Sequence, residues 1–363
     1  MKRISLVQVG FGTVGGAVIG QVLDQRERWR TSLGIDVRFV AVAGSRGAAV
    51  AEGDDGLEEP WLQALVHGRQ TGEAGLNGEV SLVDALPSIA GSGPTIVFDA
   101  AAGEATADID EAALKSGAGV VLSNKAPLAL PLADPRSQVI WSHTGSRGRL
   151  MYEATCGAGL PVISTLQSLI DTGDEILEIS GTVSGTLGAI FSSVATGTPF
   201  STAVRDALAQ GYTEPDPRDD LSGLDVARKG LILARTMGQE MDLDDIDVTS
   251  LVPKELAGVS VDEFLERIES EDHSIRLKSS DAISADGTLK YLLRWIPDGG
   301  VSVGLGTVPR ETVLGALQGP ENIVSFRTRR YDQYPCVISG PGAGAEVTAA
   351  GMVSDMLHLA QRL

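Results

Sequence analysis

The apolar run Ile4-Ser-Leu-Val-Gln-Val9 stops at Gly10-Phe-Gly12-Thr-Val-Gly15 and passes directly into a helix-forming stretch that reaches about Arg30. A buried strand, a glycine turn and a helix in that order leave few folds open. Gly10 permits the tight turn, Gly12 lets the backbone approach a pyrophosphate, and Gly15 lets helix and sheet pack closely. The start of the helix, at Thr13 and Val14, offers free N–H groups and a positive dipole end to phosphate oxygens. The glycine spacing alone is a weak signal in a chain with 44 glycines. Its place after a strand and before a helix predicts a dinucleotide site rather than a purely structural turn.

The next segments repeat the alternation. Val37 to Ala43 and Thr95 to Ala101 read as strands, and Ala107 to Ser116 as a helix. Gly119 to Leu122 is a further strand, ending at Ser123-Asn124-Lys125. Strands alternating with helices imply a parallel sheet covered on both faces. Residues 47–78 are polar and glycine-rich and read as an insertion. The second strand ends at Ala43-Gly44-Ser45-Arg46, where an NAD-selective site usually carries an acid for the ribose hydroxyl. Ser45 and Arg46 suit the extra phosphate of NADP instead, with NAD as the alternative. From about Arg149 the pattern changes to strands of polar alternation near Glu178–Val183, Tyr291–Ile296 and Gly300–Val303, with helices between. Residues 243–270 read as acidic and helical. The strand Tyr334–Ser339 and the apolar helix from Gly344 to Leu363 read as a return to the first domain. The expected fold class is α/β: an N-terminal Rossmann dinucleotide-binding domain, residues 1–148 completed by 334–363. A mixed α+β catalytic and dimerisation domain spans 149–333.

Bulk properties exclude several classes. Of the 363 residues 43% are hydrophobic but only 4% aromatic, so the cores must be mainly aliphatic. Cys156 and Cys336 cannot build a disulfide framework, and no paired Cys/His spacing suggests zinc, which points to a reduced, cytoplasmic setting. No signal-peptide pattern and no apolar run of membrane-spanning length is visible. The net charge of −19 argues against a nucleic-acid partner. Only 7 of the 29 basic residues are lysine. Acidity with so little lysine suits a halophile-like protein at molar salt, or an ordinary acidic enzyme from a GC-rich genome.

The segment Gly211 to Lys229 concentrates carboxylates in a loop before a helix. Pro215 and Pro217 stiffen it, Asp219, Asp220 and Ser222 are candidate helix caps, and Asp225 and Lys229 stand four apart on one helical face. Alone, such a pair fits a solvated surface as well as a substrate site.

That segment resembles the signature of homoserine dehydrogenases, and further segments agree in the same order. They are the N-terminal glycine turn, Ser123-Asn124-Lys125, Tyr152-Glu-Ala-Thr-Cys-Gly-Ala-Gly-Leu-Pro161, Ser184-Gly-Thr186 and Gly340-Pro-Gly-Ala-Gly-Ala-Glu-Val-Thr-Ala-Ala-Gly351. The resemblance implies NAD(P)-dependent interconversion of L-homoserine and L-aspartate 4-semialdehyde, a step toward threonine, methionine and isoleucine. It implies Lys229 as the proton-transfer lysine, Lys125 as a second active-site lysine near cofactor and substrate, and Asp225 with Glu214 as holders of the homoserine amino and hydroxyl groups. Tyr212, Asp220, Gly185 and Thr186 match substrate-pocket positions. Ala101 and Gly344 match positions at the cofactor. Glu153, with the carbonyls of Cys156, Ala158 and Leu160, matches a monovalent cation site, usually sodium. A homodimer through the second domain is implied as well.

The chemistry is consistent with these roles. Hydride reduction of an aldehyde leaves an alkoxide, which needs a proton and a nearby positive charge, and lysine supplies both. A carboxylate on a stiff loop suits an ammonium group. Glu153 has a second reading, as a helix cap without metal. The other functional readings are a related Rossmann dehydrogenase acting on another amino-acid aldehyde, and a non-catalytic cofactor-binding homologue, which the two lysines argue against. Neither a kinase domain nor a C-terminal regulatory domain is expected. Arg327-Thr-Arg329-Arg330 is left without a role, with phosphate or a neighbouring subunit as conceivable partners.

Overall fold

A computed structural model describes every residue except 54, 71–75, 77–79 and 146. The chain divides into two compact units, Met1–Ser164 with Ala343–Leu363, and Thr165–Gly342.

The first unit is built on a six-stranded sheet. Its strands are β1 (Lys2–Val9), β2 (Ile35–Gly44), β3 (Gly47–Val50), β4 (Thr95–Asp99), β5 (Gly119–Leu122) and β6 (Leu150–Met151), in the order β3-β2-β1-β4-β5-β6. All neighbours are parallel except β2 and β3, which form an antiparallel edge hairpin. β4 and β5 are buried along their whole length, because helices cover both faces of a parallel sheet. The chain leaves β1 toward β2 on one side and reaches β4 on the other. The carboxyl ends of β1 and β4 therefore flank the switch point, where ligands of open α/β sheets bind. The final helix, Ala345–Arg362, contributes Met352, Met356 and Leu359 to the same core as Ile4, Leu6 and Val18.

The second unit has a sheet of the order β12-β11-β7-β9-β10-β8. These strands are β7 (Ile176–Thr182), β8 (Asp247–Val248), β9 (Gly287–Ile296), β10 (Gly300–Pro309), β11 (Glu321–Thr328) and β12 (Cys336–Pro341). Pairing is antiparallel except between β10 and β8. Along β9, Leu289, Tyr291, Leu293 and Trp295 are buried on one face, as the two-residue period of a strand requires. The helix Leu224–Thr236 packs there through Gly230, where a β-carbon would strike Leu293 and Val301.

Several expectations need correction. The strand near Tyr334–Ser339 does not return to the first unit: Cys336–Pro341 pairs antiparallel with β11, and the return begins at Ala343. The first unit also runs past residue 148 to Ser164, since Leu150–Met151 pairs with β5. Residues 243–270 are not one helical run; they hold short 3-10 turns, strand β8 and the helix Val261–Arg267. β3 and β11 are strands that sequence reading missed. The expected insertion at 47–78 lies partly outside the described residues, and its described part includes β3 and the helix Glu59–Gln70.

Candidate active site

In the first unit the glycine turn has the conformation its spacing predicts. Gly10 has φ +74°, and a β-carbon on it would collide with the backbone of Ala100 and Ala101 beyond β4. A β-carbon on Gly15 would lie 1.9 Å from the Gly10 carbonyl oxygen, so the helix can approach the turn only with glycine there. Gly12 differs, with no atom within 4 Å of the place its β-carbon would take. Gly12 also caps the helix Thr13–Ser32 without any side-chain hydrogen bond. The first-turn N–H groups of that helix, at Thr13 and Val14, thus adjoin open space, the arrangement a phosphate needs. Phe11 packs its ring against Gly44 at the end of β2. Ser45 and Arg46 follow on the exposed turn before β3, beside the glycine turn, with no acidic residue between Gly44 and Gly47.

Ala101 and Lys125 are held by one buried carboxylate that sequence reading overlooked. Asp99, the last residue of β4, accepts hydrogen bonds from the Ala101 N–H at 2.9 Å, the Thr106 hydroxyl at 2.7 Å and the Asn124 amide at 3.0 Å. Asn124 also donates to the Gly103 carbonyl, and its own carbonyl oxygen accepts from the Ala126 N–H. The backbone on both sides of half-buried Lys125 is thereby fixed at the carboxyl end of β5. Burial raises the Asp99 carboxyl above its ordinary range, against the donors from Thr106, Ala101 and Asn124. Its one sequence signal was an acid ending an apolar strand.

Glu153 is buried, and its two oxygens accept the N–H groups of Ile163 at 2.6 Å and Ser164 at 2.9 Å. These groups open the helix Val162–Asp171, so Glu153 serves as its cap. The Glu153 N–H donates to Asp355 on the last helix at 2.9 Å. The following loop turns through Gly157 at φ +106° and Ala158 at φ +56°, and the Leu160 carbonyl accepts from the Val162 N–H. Cys156 and Ala158 are buried within it. Gly344 has φ +124° and starts the last helix, again without a side-chain cap.

In the second unit the pair read from sequence is present. Lys229 is 7% exposed, and its Nζ lies 2.8 Å from an Asp225 oxygen and donates to the Val183 carbonyl at 2.6 Å. The Val183 oxygen was invisible in the sequence because it comes from the end of β7. The adjoining loop is cross-tied. The Glu214 N–H donates to Asp220 at 2.8 Å, leaving the Glu214 side chain exposed, and Thr186 donates its hydroxyl proton to the Tyr212 carbonyl. Burial raises the Asp220 carboxyl, opposed by the Glu214 N–H, while Asp225 and Asp219 add to the rise. Gly185 and Thr186 open the helix Gly185–Ala195, capped by Ser184. Lys229, Asp225, Asp220, Glu214, Tyr212, Gly185 and Thr186 are thus tied through neighbouring elements of one unit.

Of the three cap candidates only Ser222 meets a helix start, its hydroxyl oxygen accepting the Leu224 N–H at 3.2 Å. Asp216 caps the short helix Pro217–Leu221, and Gly223 at φ +77° precedes the long one. Asp219 and Asp220 lie within the short helix, whose N-cap must precede Pro217. The arginine stretch is used inside the second unit: Arg327 pairs with Glu178 and Asp332, Arg329 with Glu175, and Arg330 donates to Thr172.

Comparison with known proteins follows the same division. The sequence profile described as homoserine dehydrogenase matches residues 161–357, and that described as homoserine dehydrogenase, NAD binding domain, matches residues 10–138. The chain is 40% identical over 361 residues to a bifunctional aspartokinase/homoserine dehydrogenase of Daucus carota, covering 98% of this chain and 38% of that protein. It therefore spans about two fifths of the length of such bifunctional relatives. It is 34% identical over 371 residues to the homoserine dehydrogenase of Saccharomyces cerevisiae, covering 100% of this chain and 99% of the relative. Among solved structures, a Candida auris protein of unknown function superposes with a TM-score of 0.87 at 31% identity, over 100% of this chain and 99% of the other. A hyperthermophilic archaeal homoserine dehydrogenase in complex with NADPH shares the fold, with a TM-score of 0.74 at 20% identity over 99% and 98% of the two chains.

Proposed function

The chain belongs to the homoserine dehydrogenase family, and we propose that it catalyses the NAD(P)-dependent interconversion of L-homoserine and L-aspartate 4-semialdehyde. The observation that carries the reading is Lys229, a buried ammonium aligned by Asp225 and the Val183 carbonyl beside the Glu214–Asp220 loop. Bound NAD(P) supplies or accepts the hydride. The residues that would hold it are Gly10, Gly12, Thr13, Val14 and Gly15 at the phosphates, with Ala101, Lys125 and Gly344 toward the reacting end. The open space at Gly12 and the uncapped helix start fit that group.

Lys229 gives a proton to the aldehyde oxygen as it becomes an alcohol, and takes it back in the reverse direction. Asp225 orients the ammonium. Glu214, exposed on a loop tied to Asp220, pairs with the substrate amino group. Tyr212, Gly185 and Thr186 line the substrate in the second unit, and Lys125 brings positive charge to the reacting end of the cofactor in the first. NADP is the preferred cofactor in this reading, since Arg46 is a cation on the turn that follows β2.

A monovalent cation belongs to the same proposal. The turn at Gly157 and Ala158 can bring the carbonyls of Cys156, Ala158 and Leu160 to one side, with the Glu153 carboxylate as the single anionic ligand. One carboxylate with neutral carbonyls suits sodium better than a divalent ion. A cytoplasmic homodimer joined through the second sheet completes it. No helix among the described residues is long and apolar enough to cross a membrane.

A steady-state assay with homoserine tests the reaction, comparing NADP with NAD at low and at molar salt. Absence of turnover with either cofactor at both salt levels overturns the proposal. Faster turnover of a different amino alcohol would favour the related-dehydrogenase reading instead.

A further inference from the structure

Lys290 is out of place for its strand. It lies on β9 between Leu289 and Tyr291 and is only 3% exposed, yet its ammonium makes one hydrogen bond, to the Leu317 carbonyl at 2.6 Å. An ammonium has three donors, and removing it from water without a counter-charge is costly. Among the described residues no carboxylate pairs with it. Burial alone pushes its pKa down, with no acid opposing the shift.

Lys290 lines a cleft of about 640 Å³ within the second unit, the size of a small-molecule site. A second cation, Arg310, stands on the same cleft. Its Nε donates to the Gly287 carbonyl, and among the described residues it too has no carboxylate partner. The remaining lining is neutral, with hydroxyls from Ser193, Thr196 and Thr288 among it, and includes no Asp or Glu at all. In a chain of net charge −19 that lining stands apart. A cleft of about 390 Å³ in the first unit shows the ordinary arrangement, with Arg26, Arg30 and Arg38 paired to Glu59, Glu27 and Asp36. The Lys290 cleft shares only Tyr212 with the residues proposed for substrate.

We infer that this cleft is a binding site for a small oxyanion, a metabolite bearing a phosphate or carboxylate group, held by Lys290 and Arg310. The planar guanidinium offers paired donors to such a group and the ammonium a point charge, while hydroxyls complete the shell. The ligand would touch Tyr212, whose carbonyl anchors Thr186, so an occupant sits next to the loop that carries Glu214. The site is independent of the reaction proposed above and stands or falls with its own test.

Isothermal titration calorimetry of the full chain with inorganic phosphate, and separately with succinate, at fixed ionic strength, provides that test. Saturable binding of at least one anion is expected, weakened about ten-fold or more by Lys290→Met and by Arg310→Gln. Arg310 is exposed, so its variant carries the test even where Lys290→Met fails to fold. Tighter phosphate binding identifies a phosphorylated ligand, and tighter succinate a free acid; both support the site. Binding that survives both substitutions, as phosphate held at the Gly10–Gly15 turn would, overturns the proposal. So does the absence of saturable binding of either anion.

Discussion

Lys229 and Asp225 stand one helical turn apart with 2.8 Å between their charged atoms, and they are unequally wet: the Lys229 side chain is 9% exposed, that of Asp225 46%. The charge that would act is buried, and the one that steers it faces solvent. Lys229→Ala should therefore lower kcat for homoserine oxidation by about 10²–10⁴-fold, the usual scale for loss of a general acid–base. Asp225→Asn keeps the shape and the contact but loses the charge. It should cost less, roughly ten-fold, because a half-exposed pair is weakly coupled. Steady-state kinetics of both variants check the ranking. A Lys229→Ala enzyme as fast as the parent would end the mechanism.

Arg46 follows β2 on an exposed turn, two residues after Gly44, against which the Phe11 ring packs. Its guanidinium can pair with a ribose phosphate but gains nothing from a ribose hydroxyl. Arg46→Ala should raise KM for NADPH by about ten-fold and leave KM for NADH nearly unchanged, the loss of one charge-assisted contact. Equal losses for the two cofactors would show that Arg46 does not read the phosphate.

What could be read from the sequence, and what could not, follows from the range of each constraint. The Gly10–Gly15 turn was legible because its requirements are local: a positive φ at Gly10 and a contact five residues along the chain at Gly15. The Asp225–Lys229 pair was legible because helical spacing sets it. Asp99, Thr106 and Asn124 meet only once β4 and β5 lie side by side, so no pattern along the chain announces them. The strand Cys336–Pro341 was assigned to the wrong unit because its local sequence says strand but not which sheet edge it joins. Lys290 was passed over for a related reason. Alternation along β9 places it opposite the core face, and its one partner, the Leu317 carbonyl, lies 27 residues further along the chain.

Asp110 is fully buried against Asp99, and neither of its oxygens meets a donor. As an ion it would be unpaired, whereas with a proton it donates to Asp99. Burial first, then the neighbouring Asp99 charge, hold its pKa well above the ordinary carboxylate range. The folded state thus keeps a proton that the unfolded chain releases near pH 4. The sign follows from linkage: this stabilisation is complete below the unfolded pKa and is lost as pH rises through the folded one. Asp110→Asn mimics the protonated acid, since its amide can donate to Asp99. The variant should melt higher than the parent at about pH 8, with the gap shrinking toward about pH 4. A gap that does not change with pH would show that Asp110 carries no such proton.

Glu153 combines two roles that one substitution can separate. As a cap it gives two charge-assisted bonds to the start of the helix Val162–Asp171. Glu153→Gln leaves a single oxygen acceptor and no charge, which should cost about 1–2 kcal/mol and lower the melting temperature. That loss is expected whether or not a cation binds. The cation reading adds a second, independent expectation. Sodium chloride should raise the melting temperature of the parent more than choline chloride at equal ionic strength, because a bound ion stabilises only the folded state. In Glu153→Gln the two salts should act alike. A sodium effect that persists in the variant places the ion elsewhere. Equal effects of both salts on the parent leave Glu153 as a helix cap alone.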